Sequence, residues 1–146
     1  MAEMEGLTSR VRICAGIETL EYLKKGGRIT PAAAAVGTVL NLKPVLTIQG
    51  DKLDACAKTR GIKTAFKTMC KALEKDIRTR FGGTYEHRQL KIGMATTFSD
   101  EEKLSYFRDE LTSCFPDLEL FAAPLTMSIG CHVGPGALGI GAFLAH

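Results

Sequence analysis

The sequence predicts an α/β fold of the α+β type, a two-layer sandwich in which helices pack on one face of a mixed or mostly antiparallel sheet. Helical and extended patterns alternate along the chain. Two extended segments, 44–49 and 52–58, are joined by Gly50-Asp51 and form a hairpin, which a purely parallel sheet does not contain. With 146 residues, 45% of them hydrophobic and 24% charged, the chain is large enough to bury one core.

The first elements are a short strand and two helices. The strand is expected at 11–15, and the first helix at 17–25. That helix ends at Gly26-Gly27, a pair that can take the positive φ of a C-cap. Thr30-Pro31 is a capping residue followed by a first-turn proline, so a second helix is expected to continue through the small residues up to position 39.

The longest helix is expected at about 62–80, where apolar residues recur every three or four positions. They form one stripe, which consists of Ile62, Phe66, Met69, Leu73, Ile77 and Phe81. The basic residues lie largely off this stripe, and a solvated helix face explains them better than a binding surface. They are Lys63, Lys67, Lys71, Lys75 and Arg78.

The second half of the chain continues the alternation. A strand is expected at 89–96, and Ser99-Asp100-Glu101-Glu102 is then a capping box that opens a helix. The apolar stripe of this helix consists of Leu104, Phe107, Leu111 and Phe115. Three more strands are expected, at 118–122, 126–132 and 139–145.

The composition argues against several classes of function. The net charge of +3 comes without an arginine-rich tract or a basic–aromatic array, so no nucleic-acid partner is expected. The five cysteines are single and widely spaced, which indicates neither disulfides nor a metal site, and we interpret them as buried thiols of a cytoplasmic protein. The apolar stretch 129–144 is too short and glycine-rich to enter a bilayer. No catalytic motif is present, and no cofactor is expected.

The glycine-rich run 130–139 is the densest signal in the chain. It contains Gly134-x-Gly136-x-x-Gly139, which satisfies the dinucleotide-binding fingerprint as a string. A Rossmann unit also needs a following helix, another strand and an acidic residue about twenty positions on. Only seven residues follow Gly139, and none is acidic. The match is therefore accidental, which disfavours a nucleotide-binding enzyme.

His132 is the first candidate ligand-binding residue. If 126–132 is a strand, alternation turns Met127, Ile129 and Cys131 toward the core and His132 toward the other face, just before a glycine-proline turn. Exposed backbone amides after it would suit a carboxylate or phosphate oxygen. A second interpretation is that His132 caps the loop by a hydrogen bond to a backbone carbonyl, and the sequence periodicity alone favours this one. Strand alternation also keeps Cys131 and His132 from forming a nucleophile–base pair.

Arg60 is the second candidate, at the junction between a strand and the longest helix. The free amides of a helix N-terminus favour an anion, and a guanidinium would add a bidentate donor for carboxylate or phosphate. A solvated arginine that serves solubility explains the position equally well.

Four segments resemble the DegV family. The helix end TLEYLKKGGRI at 19–29 resembles the family segment that closes with GGRI. The strand LKPVL at 42–46 and the helix entry TRGIKTA at 59–65 resemble the next two family motifs. The fourth segment, HVGPGALG at 132–139, is similar to the family's HxGPG ending. The four occur in the family order and cover the chain from about Val11.

The resemblance implies the C-terminal half of a bacterial fatty-acid-binding protein, which is a carrier and not an enzyme. It implies that a long-chain fatty acid lies between two domains and that its carboxylate is presented to a fatty-acid kinase. By motif, His132 with the following Gly134 belongs to the carboxylate site, and Arg60 is implicated in the kinase reaction. The resemblance makes the ligand-binding interpretation of His132 the favoured one.

The N-terminal domain of the family has no counterpart in the sequence. Residues 1–10 are therefore expected to be a tail from the domain junction and 11–146 the lipid-binding domain. The face that would meet the missing domain is expected to be exposed and apolar, which favours self-association. Glu18 stands where the family usually has aspartate. The alternative function is a truncated, free-standing protein-interaction module without lipid binding.

Overall fold

The structure, a computed structural model, describes residues 11–27, 29–31, 43–49, 52–80 and 90–144. The described part contains ten elements. The strands are β1 (Val11–Gly16), β2 (Lys43–Gln49), β3 (Lys52–Thr59), β4 (Leu90–Thr96), β5 (Glu119–Pro124) and β6 (Leu138–Leu144). The helices are α1 (Glu21–Lys25), α2 (Ile62–Arg80), α3 (Glu101–Cys114) and α4 (Met127–Val133).

The six strands form one sheet in the order β3-β2-β1-β6-β4-β5. Neighbouring strands are antiparallel except β4 and β5, which are parallel. This mixed, mostly antiparallel sheet confirms the predicted fold class. The predicted hairpin is present as the β2–β3 pair, with a register shift between Val45 and Leu46. Its turn, Gly50-Asp51, lies outside the described residues.

The main core lies between the sheet and the two long helices, which pack on one face as expected. The stripe of α2 is buried at Phe66, Met69, Leu73 and Ile77, and that of α3 at Phe107 and Leu111. Because side chains alternate along a strand, every second residue of β4 meets these helices: Leu90, Ile92 and Met94. Full burial of such a side chain contributes about 1.5–3 kcal/mol, so this layer supplies most of the apolar stabilisation.

A second, smaller apolar cluster lies on the opposite face. Leu20 and Leu23 from the α1 region and Val133 of α4 pack there with Leu46 of β2. Leu46 faces away from the main core, to which its neighbour Val45 belongs. The two short helices therefore add a partial layer on a face that the sequence did not predict to be covered.

The helix boundaries follow local signals with small shifts. The first helix begins at Glu21 instead of 17 and ends before Gly26, and Gly27 takes the expected positive φ, 64°. At the start of α3, Asp100 and not Ser99 is the N-cap. Its carboxylate accepts hydrogen bonds from the backbone N–H groups of Glu102 and Lys103, at 3.0 and 3.3 Å. The helix predicted up to residue 39 lies largely outside the described residues, as does Phe81.

The prediction of a strand at 126–132 is wrong, because this segment is the helix α4. The Gly130 and Gly134 N–H groups donate to the carbonyls of Thr126 and Gly130, each at 2.8 Å. The physical reason is topological. In the sheet β4 lies between β5 and β6, so the chain has to cross the end of β4, and α4 makes that crossing. The strands predicted at 118–122 and 139–145 are present as β5 and β6, and no helix follows the glycine run before β6.

Candidate functional site

One end of the sheet brings together the residues that the sequence singled out. Here β1, β3, β4 and β5 end, and β2 and β6 begin, as the pairs Gly16–Leu138, Lys43–Thr59 and Thr96–Leu138 show. We call it the loop end. Because α2 and α3 directly follow β3 and β4, both long helices also begin there. The loop end therefore carries the positive ends of two helix dipoles.

Arg60 lies at the loop end with an exposed side chain. It follows the last residue of β3, Thr59, whose hydroxyl donates to the Lys43 carbonyl at 2.8 Å and ties the junction to β2. Gly61 then takes a φ of 81° and α2 begins. The first turn of α2 contains no acidic residue. The guanidinium thus adds its charge to a helix end that is already positive.

His132 lies in the last turn of α4 and is half-buried. The strand geometry expected for it is wrong, and so is the orientation expected for its neighbours. Met127 and Ile129 are 83% and 47% exposed, and Cys131 is exposed as well. Adjacent residues on a helix do not face each other, so sequence adjacency still provides no nucleophile–base pair between Cys131 and His132.

The loop after His132, residues 134–137, is held by Thr97 at the end of β4. The Thr97 hydroxyl donates to the Gly134 carbonyl and accepts from the Ala137 N–H, each at 2.9 Å. The Thr97 N–H donates to the Ala137 carbonyl at 3.0 Å, and the Gly134 N–H bonds back to Gly130. The prediction that this loop exposes its amides for a ligand is therefore wrong for Gly134 and Ala137, while Pro135 has no N–H.

Two side chains from the β1–α1 segment pack against the same loop. The ring of Tyr22 occupies the place that a Cβ on Gly134 would need, and Glu18 occupies that of Gly136. The Glu18 carboxylate lies 3.6 Å from Lys43 Nζ and 3.9 Å from Lys103 Nζ. Glu18 and Tyr22 thus pack against the loop, and Thr97 is hydrogen-bonded to it.

Arg60 and His132 lie at the same end of the sheet but not together. Arg60 follows β3, and the His132 loop leads into β6, with β2 and β1 between them. β3 and β6 are three positions apart in the sheet order. The two residues therefore adjoin different strands at the loop end.

The sheet face opposite α2 and α3 carries small residues in its centre. Gly93 pairs directly with Gly141, and Ala95 with Gly139, so four small residues form the floor over β4 and β6. The Phe143 ring lies over one end of this floor, 3.7 Å from the place that a Cβ on Gly93 would take, and its centroid is 6.4 Å from that of Phe121. We call this surface the open face. Its small residues are all partly exposed, and they leave a shallow apolar strip along the two strands.

Large exposed apolar side chains surround the open face. Ile13 and Phe121 project from the sheet, and Tyr22, Met127 and Ile129 belong to the two short helices on the same side. Exposed apolar side chains on one side of a molecule are typical of an interaction or ligand-binding site. That this side meets a second domain stays a prediction.

The cysteines differ from the prediction in part. Cys14 and Cys70 are buried, whereas Cys56, Cys114 and Cys131 are exposed, so the expectation of buried thiols is wrong for these three. Burial and the neighbouring Cys114 thiol raise the pKa of the Cys70 thiol.

Within the described residues, His, Cys, Asp and Glu form no group that could hold a metal ion. None of the helices in this part of the chain is both long enough and apolar enough to cross a bilayer.

Sequence reasoning missed Thr97, Tyr22 and Glu18 as residues that shape the site. The partners of the Thr97 hydroxyl are 37 and 40 residues away, and no local pattern announces contacts over that separation. The only available signal was the pair of glycines at 134 and 136, which indicates that something packs closely against the loop.

Comparison with known proteins gives these features a family context. The model of the DegV family, described as a family of uncharacterised proteins, matches residues 1–145. A DegV domain-containing protein of Clostridium acetobutylicum is 34% identical over 124 residues, which is 84% of this chain and 40% of the relative. The chain spans less than half the length of the curated relatives it matches.

Solved structures show the same fold. A DegV family protein from Thermus thermophilus, described by its fatty acid binding, matches with a TM-score of 0.79 and 32% identity, over 98% of this chain and 49% of that one. The Streptococcus pneumoniae fatty acid kinase B3 protein, loaded with linoleic acid, matches with a TM-score of 0.73 and 18% identity, over 98% and 48%. At that lower identity the likeness concerns the fold alone.

Proposed function

The chain belongs to the DegV family, and we propose that it forms one wall of a fatty-acid carrier. In this proposal a long-chain fatty acid lies against the open face, and its carboxylate is presented to a fatty-acid kinase. The chain itself is a carrier and performs no chemical step. The observation that carries the proposal is the apolar strip between Phe121, Phe143 and the short helices.

The strip suits a hydrocarbon chain because its floor has no polar side chain. Ala95, Gly139 and Gly141 have small or no side chains that would hold a hydrocarbon chain away from the sheet, and each methylene removed from water contributes about 0.8 kcal/mol. The fatty-acid-binding relative from Thermus thermophilus shares this fold at 32% identity. This supports the proposal that the ligand is a lipid and not another apolar molecule.

His132 is the proposed contact for the carboxylate. Its helix packs on the open-face side of the sheet at the loop end, and an imidazole N–H can donate to a carboxylate oxygen. The Gly134 N–H and carbonyl are already hydrogen-bonded within the protein. Gly134 therefore contributes to the carboxylate site through its backbone conformation and not through a bond to the ligand. Its φ of 77° ends α4 directly after His132 and Val133.

Arg60 is the proposed contact for the kinase step. Its exposed guanidinium lies beside the N-terminus of α2, and both favour a phosphate group. Arg60 follows β3 and the His132 loop leads into β6, which agrees with two roles, one toward the bound lipid and one toward the partner. The resemblance of the helix entry at 59–65 to the family motif supports a kinase as that partner.

The isolated chain is expected to bind long-chain fatty acid weakly or not at all, since the relatives are more than twice as long. Native mass spectrometry can compare the chain alone with the chain fused to the N-terminal half of the Thermus relative. Only the fusion should retain stoichiometric lipid. Retention of stoichiometric lipid by the chain alone would contradict the half-site proposal.

The fusion also tests the two residues. His132→Ala should weaken lipid binding by about tenfold or more, because a hydrogen bond to a charged group is lost, and Ser128→Ala on the same helix is the control. Arg60→Ala should lower kinase-dependent acyl phosphate formation, and Arg78→Ala, an exposed arginine of the same helix, should not. If acyl phosphate formation survives both substitutions, the assigned roles are wrong.

A free-standing interaction module is the second candidate, because Met127 and Phe121 are 83% and 50% exposed. In that case the fusion would retain no lipid. Lipid retention by the fusion, and not association of the chain alone, therefore separates the two functions in the mass spectra.

A further inference from the structure

We propose that Thr97 is a positioning residue for His132, an inference that rests on the proposed carboxylate role of that histidine. Thr97 is the first residue after β4. Its hydroxyl joins the two ends of the 134–137 loop, at the Gly134 carbonyl and the Ala137 N–H. A single hydroxyl can do this because it is both a donor and an acceptor.

The groups that Thr97 satisfies are shielded from water. Gly134 is buried and Ala137 is 2% exposed. A buried carbonyl or N–H without a partner is costly, so the loop depends on this hydroxyl to keep its conformation. The Thr97 N–H adds a third bond, to the Ala137 carbonyl, and anchors the end of the loop that leads into β6.

The methyl group of Thr97 also faces α4 before His132. Its Cγ2 lies 3.8 Å from the place that a Cβ on Gly130 would take, two residues before the histidine. The Gly134 carbonyl, which accepts the hydrogen bond from the Thr97 hydroxyl, is two residues after the histidine. Thr97 therefore adjoins α4 before His132 and is bonded to the residue that ends it, while Tyr22 packs against Gly134.

This anchoring matters because α4 has only seven residues. So short a helix has little stability of its own, and its last turn is the part that frays. His132 lies in that turn, whose closing bond is the one from the Gly134 N–H to Gly130. Thr97 thus determines where the imidazole stands relative to the open face without touching the ligand.

The test uses the 146-residue chain without lipid and compares Thr97→Val, which removes the hydroxyl, with Thr97→Ser, which retains it. We expect Thr97→Val to shift the His132 ring signals in NMR spectra and to accelerate Ala137 amide exchange by about tenfold. Thr97→Ser should restore both. Thr126→Val is the matched control, since the Thr126 side chain makes no capping bond at the start of α4.

Unchanged His132 signals in folded Thr97→Val, or failure of Thr97→Ser to restore them, would overturn the proposal. If Thr97→Val does not fold, Thr97→Ala takes its place, because it leaves room for water at the two backbone groups. The same displaced His132 signals are expected for it. A lower overall stability with an unmoved ring would show a purely structural role and would also overturn the proposal.

A titration of the lipid-free fusion protein with sodium octanoate separates this inference from the proposed function. In the unsubstituted fusion the His132 ring signals should respond to the carboxylate, and Thr97→Val should weaken the response by about tenfold. If the unsubstituted fusion shows no response while Thr97→Val still displaces the ring, the carboxylate role fails and the positioning role stands. If the titration succeeds equally in both, with the ring unmoved, the positioning role fails and the carboxylate role stands.

Discussion

The loop that follows His132 depends on individual residues whose neighbours are distant in sequence. Gly134 combines a positive φ of 77° with a ring, that of Tyr22, in the place of its missing side chain. Either condition alone disfavours other residues, and together they require glycine. The residue that ends the His132 helix is thus determined by α1 as much as by the loop itself.

Gly134→Ala should destabilise the protein by about 3 kcal/mol, because the backbone strain at φ 77° and ψ −176°, a region essentially restricted to glycine, adds to the overlap with Tyr22. Gly61→Ala is the control. It has a similar φ, 81°, but nothing lies within 4 Å of its Cβ position, so only the backbone term of about 1–2 kcal/mol is expected. Urea denaturation followed by circular dichroism measures both. Equal losses in the two variants would show that Tyr22 does not restrict this position.

At the scale of elements, two kinds of helix are present. The long helices α2 and α3 carry their apolar stripes in their own sequence, and these stripes are buried as their spacing predicts. The short helix α4 has no such stripe, and only Val133 is buried among its apolar residues. Its conformation results from the crossing between β5 and β6, over the end of β4.

Two neighbouring residues, Ser99 and Asp100, are of the types that cap a helix, and the structure has Asp100 as the N-cap of α3. Asp100→Ala should cost about 1 kcal/mol, because two backbone N–H groups lose their acceptor and the helix end loses a negative charge. Ser99→Ala, at the position that the sequence pattern favoured, should change stability by less than about 0.5 kcal/mol. Thermal unfolding of the two variants checks the assignment, and a larger loss for Ser99→Ala would reverse it.

At the scale of the whole molecule, the two faces of the sheet are covered unequally. One face is sealed by α2 and α3, and the other has short helices at the loop end and an exposed apolar strip beyond them. Exposed apolar surface of this extent favours association with a partner or a second copy. In the relatives, more than half of the sequence lies outside the region matched by this chain.

Self-association through the open face should therefore occur in the isolated chain. Sedimentation velocity over a concentration series should show a rising average mass. Phe121→Glu, at the border of the exposed strip, should suppress that rise. Lys67→Glu, on the exposed side of α2, is the control and should leave it unchanged. A chain that stays monomeric at every concentration would contradict this prediction.

The features that depend on neighbours within a few positions could be predicted from the amino-acid sequence. The fold class, the hairpin, the long amphipathic helices and the glycine at the end of the first helix follow from periodicity and turn chemistry, which act locally. Arg60 at a helix entry was identified for the same reason. The family motifs pointed to His132, although its local conformation was predicted incorrectly.

The features that depend on contacts between distant segments follow from the tertiary structure alone. The segment 126–132 is a helix where a strand was expected, in the part of the chain that crosses β4, and three cysteines lie on the surface. Arg60 and the His132 loop adjoin different strands, β3 and β6, and Thr97 bonds to a loop about forty residues away. Strand order and side-chain contacts of this kind are long-range properties, which local patterns do not encode. The site at the loop end is therefore formed by the sheet topology.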